Sequence, residues 1–265
     1  MTRPDEDAGE PARETAGLPD TVAALTAEEL EPAQRRRVLG RLVTELRARG
    51  VGDVFKPRAA MRWVADTLGD VVPHVPIRDL ETLHKHHDGL DGDALAERLI
   101  RNASRATATV GAAGGGVAAI EWVATPTLLS APFLLATETV AVVAIEVKLI
   151  GELHEVYRRP LPGTGTQRAV ALLQAWAGRR GISPIAPGAG VAAVLSTAAR
   201  KELRDRLLRR FGRNLTTLGP LLTGAAVASY LNRRATRALG EQMRKDLAAG
   251  IPTPYPEPPR EITSG

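Results

Sequence analysis

The stretch RNASRATATVGAAGGGVAAIEWVATPTLLSAPFLLATETVAVVAIEVKLIGELHE, Arg101 to Glu155, decides the fold. It is oily enough for a bilayer, yet it carries Glu121, Glu138 and Glu146. Two sites within it resemble helix starts: Thr125 before Pro126, and Ser130 two residues before Pro132. Proline is tolerated in a first helical turn because its missing N–H has no intrahelical partner there. One long helix is therefore expected from Pro132 to about Tyr157. Upstream, Asp91 or Asp93 caps a helix whose inward face carries Leu95, Leu99 and Ile100, and which continues through Ala103–Val110 to Gly111. Glu138 and Glu146 are eight residues apart, so at 3.6 residues per turn they share half of the helix without stacking.

Working outward toward the N-terminus, residues 1–20 are polar, acidic and proline-bearing, the reverse of a secretory signal, and read as a disordered leader. Thr26 followed by Glu29 forms a capping box, and Leu39, Leu42, Val43 and Leu46 recur at helical spacing until Gly50. Pro57 opens a short helix with Met61, Trp63, Val64 and Leu68. Another short helix holds Leu80 and Leu83 and ends in the loop signal HKHHDGLDGD.

Toward the C-terminus, RRPLPGTGT is a linker and Gln167–Arg180 a helix with Val170, Leu173 and Trp176 along one side. Two charge-free runs of 19 residues follow, Gly181–Ala199 and Asn214–Asn232. Between them RKELRDRLLRRFGR sets seven cations against two acids, and Leu203, Leu207, Leu208 and Phe211 make it an amphipathic helix with a basic surface of Arg200, Lys201, Arg204, Arg206, Arg209, Arg210 and Arg213. NRRATRALGEQMRKDLAAG is a last amphipathic helix ending at Gly250, and a proline-rich tail follows.

Three segments share a composition: GGGVAAI at Gly114–Ile120, GAGVAAV at Gly188–Val194 and TGAAVAS at Thr223–Ser229. Glycine inside a helix costs ~1 kcal/mol relative to alanine, so its clustering implies a compensating close contact between helices. The expected helix-packing residues are Gly111, Gly115, Gly116, Gly188, Gly190, Gly219 and Gly224, with the three faces meeting one another. Aromatics are only 3% of the 265 residues, which suits such packing better than a sheet sandwich. The expected fold is all-α: leader 1–20, an N-terminal helical subdomain over 21–89, a helical bundle of small-residue hairpins over 90–250, and the tail 251–265.

In RNASRATATVGAAGG at Arg101–Gly115, EVKLIGELHEVY at Glu146–Tyr157 and GAAVASYLNRRATRALG at Gly224–Gly240, the chain resembles the EcsC-like family of bacterial helical proteins. The resemblance covers roughly Leu90 to Leu247. It implies an all-helical, membrane-associated protein without an assigned activity, and it lends no catalytic residues.

Chemistry is constrained mainly by what the motifs lack. Without cysteine there are no disulfides, thiolate metal sites or cysteine nucleophiles. GAAGGG at Gly111–Gly116 lacks the Lys-Ser/Thr ending of a phosphate loop, and no GxSxG occurs. Glu152, His154 and Glu155 have the wrong offsets for a di-metal bundle, and these acids with Glu146 are expected at solvent or paired with Lys148, Arg158 and Arg159. His154 reads as a surface or partly buried residue. His84, His86 and His87, with His74, form a histidine cluster that reads either as a polar loop tip or as metal ligands. No catalytic residue, resident metal or cofactor is expected.

Formal net charge is +5, with 30 of the 35 cations arginine. Lipid headgroups or an integral membrane protein are the expected partners, and nucleic acid is not. Trp122–Thr137, sixteen residues without charge, is the best insertion candidate; extending it to Ile145 buries Glu138 at ~2.5–3.5 kcal/mol near mid-bilayer. Two settings stay open. One is non-enzymatic association with the cytoplasmic face of the membrane, peripheral or by an inserted hairpin, in an envelope or transport complex. The other is a soluble cytoplasmic helical module that binds a protein or an apolar ligand.

Overall fold

The computed structural model describes residues 17–50, 57–124, 130–161, 163, 165–179 and 222–250; Thr125 and Pro126, which resemble a helix start in sequence, lie outside them. Among them are eight α-helices and no strand: α1 Leu18–Thr26, α2 Pro32–Ala48, α3 Pro57–Val71, α4 Leu80–His86, α5 Gly92–Ala124, α6 Ser130–Val156, α7 Gly165–Arg179 and α8 Leu222–Ala248. A 3-10 turn, Val72–His74, follows α3. The protein is all-α, as its periodicity implies.

Helix α6 is the axis. From Phe133 to Leu153 its side chains and backbone are buried without interruption, and each of the other seven helices touches it. A helix apolar on every side has no solvent face to offer, so it must be wrapped. The oily stretch is thus satisfied by protein over Phe133–Ile145. No described helix is long and apolar enough to cross a membrane.

The longest interface joins α5 to α8. Gly111 makes it possible: a Cβ there would lie 2.8 Å from the carbonyl carbon and oxygen of Ala228. About three helical turns away, Gly240 sits against Ile100, where a Cβ would meet its Cγ1 at 2.6 Å. Gly111 does not end α5, which runs on to Ala124, and α8 joins residues 222–232 of the charge-free run to the following amphipathic segment in one rod that ends at Ala248, just before Gly250, whose φ is +76°.

The N-terminal helices share the core of the rest. One contiguous buried cluster runs from Leu18 and Val22 through Leu42, Val64 and Ile150 to Leu247, so the segment 21–89 has no core of its own. Trp63 of α3 meets Phe133 of α6 edge to face at 5.4 Å, and Arg47 of α2 lies 5.7 Å over the same ring.

Two local readings are corrected. Thr26 ends α1 instead of starting a helix, its hydroxyl donating to Val22 O at 2.9 Å. The capping box belongs to Glu31 and Gln34, at the start of α2. Leu18 and Thr21 are buried in α1, so the leader stops short of residue 20. What ends α1 is a distant side chain: Arg35, 2% exposed, donates to Leu25 O and, at 2.7 Å, to Ala27 O. It thereby satisfies carbonyls that the helix end leaves without partners. Burial lowers its pKa to about 10, against the opposing charge of Glu28.

Candidate functional site

Two buried polar clusters are strung along α6. The first lies between α5, α6, α7 and α8. Glu146, fully buried, accepts from the Trp176 indole at 2.8 Å and from the Thr236 hydroxyl at 2.8 Å. Thr107 donates in turn to Thr236 at 2.9 Å. Two turns earlier on α6, Glu138 accepts from Asn232 at 3.2 Å, and the same amide donates to Thr107 O at 3.2 Å. Asn232 and Thr236 are four apart on α8, hence on one face, and they straddle the α5 contact. Burying a carboxylate is costly unless donors surround it, which is what fixes the register of these four helices.

The second cluster joins the N-terminal helices to α6. Arg78, in the segment after the 3-10 turn, holds Glu152 with two bonds of 2.7 and 3.0 Å and reaches Glu28 at 3.0 Å. Lys148 donates to Glu152 and, at 2.8 Å, to Pro76 O. His87 Nε2 faces the other oxygen of Glu28 at 3.1 Å. Burial pulls on the Arg78 pKa, but hydrogen bonds and charge from Glu152 and Glu28 outweigh it and hold the guanidinium above its ordinary range. For Lys148 burial wins, and its pKa falls despite Glu152.

These positions correct several expectations. Glu146 and Glu152 do not face solvent, and Glu152 pairs with Arg78 as well as with Lys148. His154, 1% exposed, donates from Nδ1 to Arg159 O at 2.8 Å, and burial lowers its pKa. His87 is buried, whereas His86 is exposed and His84 pairs with Asp91 at 3.4 Å. Among the described residues no three His, Asp or Glu side chains converge as metal ligands. A cleft beside the second cluster, lined by Glu28, Asn102, Lys148 and Glu152, encloses about 10 Å³, the volume of one water. Among the described residues the clusters serve as clamps between helices.

Of the expected packing glycines, Gly111 lies at the α5–α8 contact, Gly115 and Gly116 lie further along α5, and Gly224 in the first turn of α8. Gly188, Gly190 and Gly219, and the basic surface from Arg200 to Arg213, lie outside the described residues, as does the tail.

An exposed feature that sequence reading missed is the outward stripe of α8. Val227 is 48% and Tyr230 60% exposed, and Arg234 and Arg237 continue the same stripe at i+7 and i+10. Arg234 donates to the Tyr230 hydroxyl at 3.3 Å. Arg233 and Arg105 are also exposed, and the register set by Gly111–Ala228 and Thr107–Asn232 places Arg105 at the level of Arg234. The signal was present as VASYLNRR, Val227–Arg234, an aliphatic and an aromatic three apart just before an arginine pair.

Compared with known protein families, curated proteins and solved structures, the chain has no significant match.

Proposed function

We propose that the protein is a non-enzymatic, peripheral membrane-associated helical bundle that rests one end on the cytoplasmic face of a membrane. The observation that carries this reading is the α8 stripe: Val227 and Tyr230 exposed near the start of α8, with Arg233, Arg234 and Arg237 set one to two turns behind. A tyrosine has an apolar body and a polar tip, which suits the headgroup level, and arginines just behind it meet lipid phosphates. Each cation near an anionic leaflet is worth ~1 kcal/mol. The resemblance of roughly Leu90–Leu247 to EcsC-like proteins supports the same setting. Because Phe133–Ile145 is enclosed by helices, contact without insertion of that segment fits better than a hairpin driven into lipid.

Vesicle co-sedimentation tests it. The protein should pellet with vesicles containing phosphatidylglycerol at low salt and be released at high salt. V227S/Y230S should weaken pelleting, and R233Q/R234Q should lower affinity for the anionic vesicles roughly thirtyfold while reducing the salt dependence. Failure of the unaltered protein to pellet with anionic vesicles at low salt would sink the reading. So would equal pelleting by all three forms.

A further inference from the structure

The second helix carries a charge pattern that neither cluster nor the α8 stripe uses. Its apolar stripe, Val38, Leu39, Leu42 and Leu46, is buried. Its outward surface holds Arg36, Arg37, Arg41 and Arg47, with Arg49 at the C-cap, and no acid is exposed among residues 32–49. Small residues, Gly40, Thr44 and Ala48, lie between them, so an extended chain can approach the helix closely. Arg49 pairs loosely with Asp70 at 3.7 Å and Arg47 covers Phe133, while Arg36, Arg37 and Arg41 make no ion pair among the described residues. Such a surface has no apolar component to insert into lipid; its complement is a run of carboxylates or phosphates, which guanidinium groups bind in two-pronged fashion.

Residues 1–16 are that complement. They hold Asp5, Glu6, Asp7, Glu10 and Glu14 against Arg3 and Arg13. Their point of attachment is also right. Thr21 of α1 bonds Glu45 of α2 at 2.6 Å, and α1 and α2 are antiparallel, so Gly17 leaves the fold beside the last turn of α2. From Arg49 back to Arg41 and Arg36 is about 12 and 20 Å along the helix, at 1.5 Å per residue. Glu10 and Asp7 lie seven and ten residues from Gly17, and so reach at most about 23 and 33 Å. The acids can therefore span the arginines with slack, at an effective concentration in the millimolar range set by the tether.

We infer that the acidic leader, Asp5–Glu14, docks on the arginine surface of α2 (Arg36, Arg37, Arg41) and competes there with outside polyanions. The inference stands apart from the membrane reading, since it concerns a different helix and a contact within the chain.

The absence of cysteine allows a single spin label at A8C on the full chain. At low ionic strength the label should broaden amides of residues 33–44 of α2. The broadening should vanish in D5N/E6Q/D7N/E10Q/E14Q, in R36Q/R37Q/R41Q, and on raising salt, as the screening length shrinks from ~10 Å toward 3 Å. Heparin supplies the second measurement. If the leader holds the surface nine-tenths of the time, neutralising its five acids should tighten heparin binding about tenfold, and adding R36Q/R37Q/R41Q should abolish that gain. Broadening that persists after the leader is neutralised, or no broadening at any salt, overturns the proposal. Equal heparin affinity with and without the leader acids also overturns it, and would instead assign the surface to an outside polyanion such as nucleic acid or a lipid headgroup.

Discussion

At the scale of single residues, stability is decided by a few polar groups that α6 carries into the core. Glu146 is the sharpest case, because it accepts from both Trp176 and Thr236 with no solvent nearby. Replacing it with Leu leaves two donors facing hydrocarbon, at ~1–3 kcal/mol each. Replacing it with Gln keeps one acceptor and sets an amide N–H against the other donor. Urea denaturation should show a loss of about 3–4 kcal/mol for E146L and about half that for E146Q. Losses below about 0.5 kcal/mol for both would contradict the clamp role. His154 makes a second, pH-dependent prediction. Arg159 O can only accept, so the proton sits on Nδ1 of a neutral ring, and burial, with the charges of Arg179 and Arg159, depresses the pKa below its usual 6.5. The unfolded chain then binds the extra proton first. The resulting stability is fully present above 6.5 and is lost as pH falls through the lower folded value. H154N, which keeps an N–H donor near the Nδ1 position but cannot titrate, should flatten the fall in unfolding free energy between pH 7 and pH 5; an unchanged slope would remove His154 from the account.

At the scale of helices, glycine acts in opposite ways according to what faces it. A methyl at Gly111 would strike the Ala228 backbone, which cannot swing aside, so G111A should destabilise by about 1–3 kcal/mol as α5 and α8 are forced apart. Gly40, exposed on α2 with nothing within 4 Å of an added Cβ, should do the reverse: G40A should gain about 0.5–1 kcal/mol by restricting the unfolded chain. Denaturation midpoints of the two variants moving the same way would defeat this contrast. The helices themselves were largely legible in sequence. Ser130 and Pro132 marked the start of α6, the linker after Tyr157 marked its end, Pro57 opened α3, and Gly250 closed α8. Where local signals competed, the choice was made from afar. Thr26-x-x-Glu29 satisfies a capping rule, but Arg35 and the burial of Leu18 and Val22 make that threonine a terminus. Nor could spacing reveal that Glu152 would turn inward, since its partner Arg78 lies seventy-four residues away. The exposed end of α8 was missed because Val227 and Tyr230 sit in an oily run that periodicity assigns to an interior.

At the scale of the whole molecule, the N-terminal helices and the rest should unfold as one body, because a single buried cluster and the Glu28–Arg78–Glu152 chain tie them together. Tryptophans report on both parts: Trp63 in α3 and Trp176 in α7. In a W122F background, removing one or the other leaves a single probe. Fluorescence and far-ultraviolet circular dichroism should then trace the same urea transition within each variant, and separate midpoints would show an independent subdomain. The enclosure of α6 has one more consequence, in the time before the fold exists. On the ribosome α6 emerges about ninety residues ahead of the end of α8, one of the helices that wrap it. At roughly 5–20 residues per second that leaves an oily rod uncovered for about 5–20 s of synthesis. During that interval the nascent chain displays the surface that chaperones and insertion machinery recognise, so the cell must shelter a segment that the finished protein never shows.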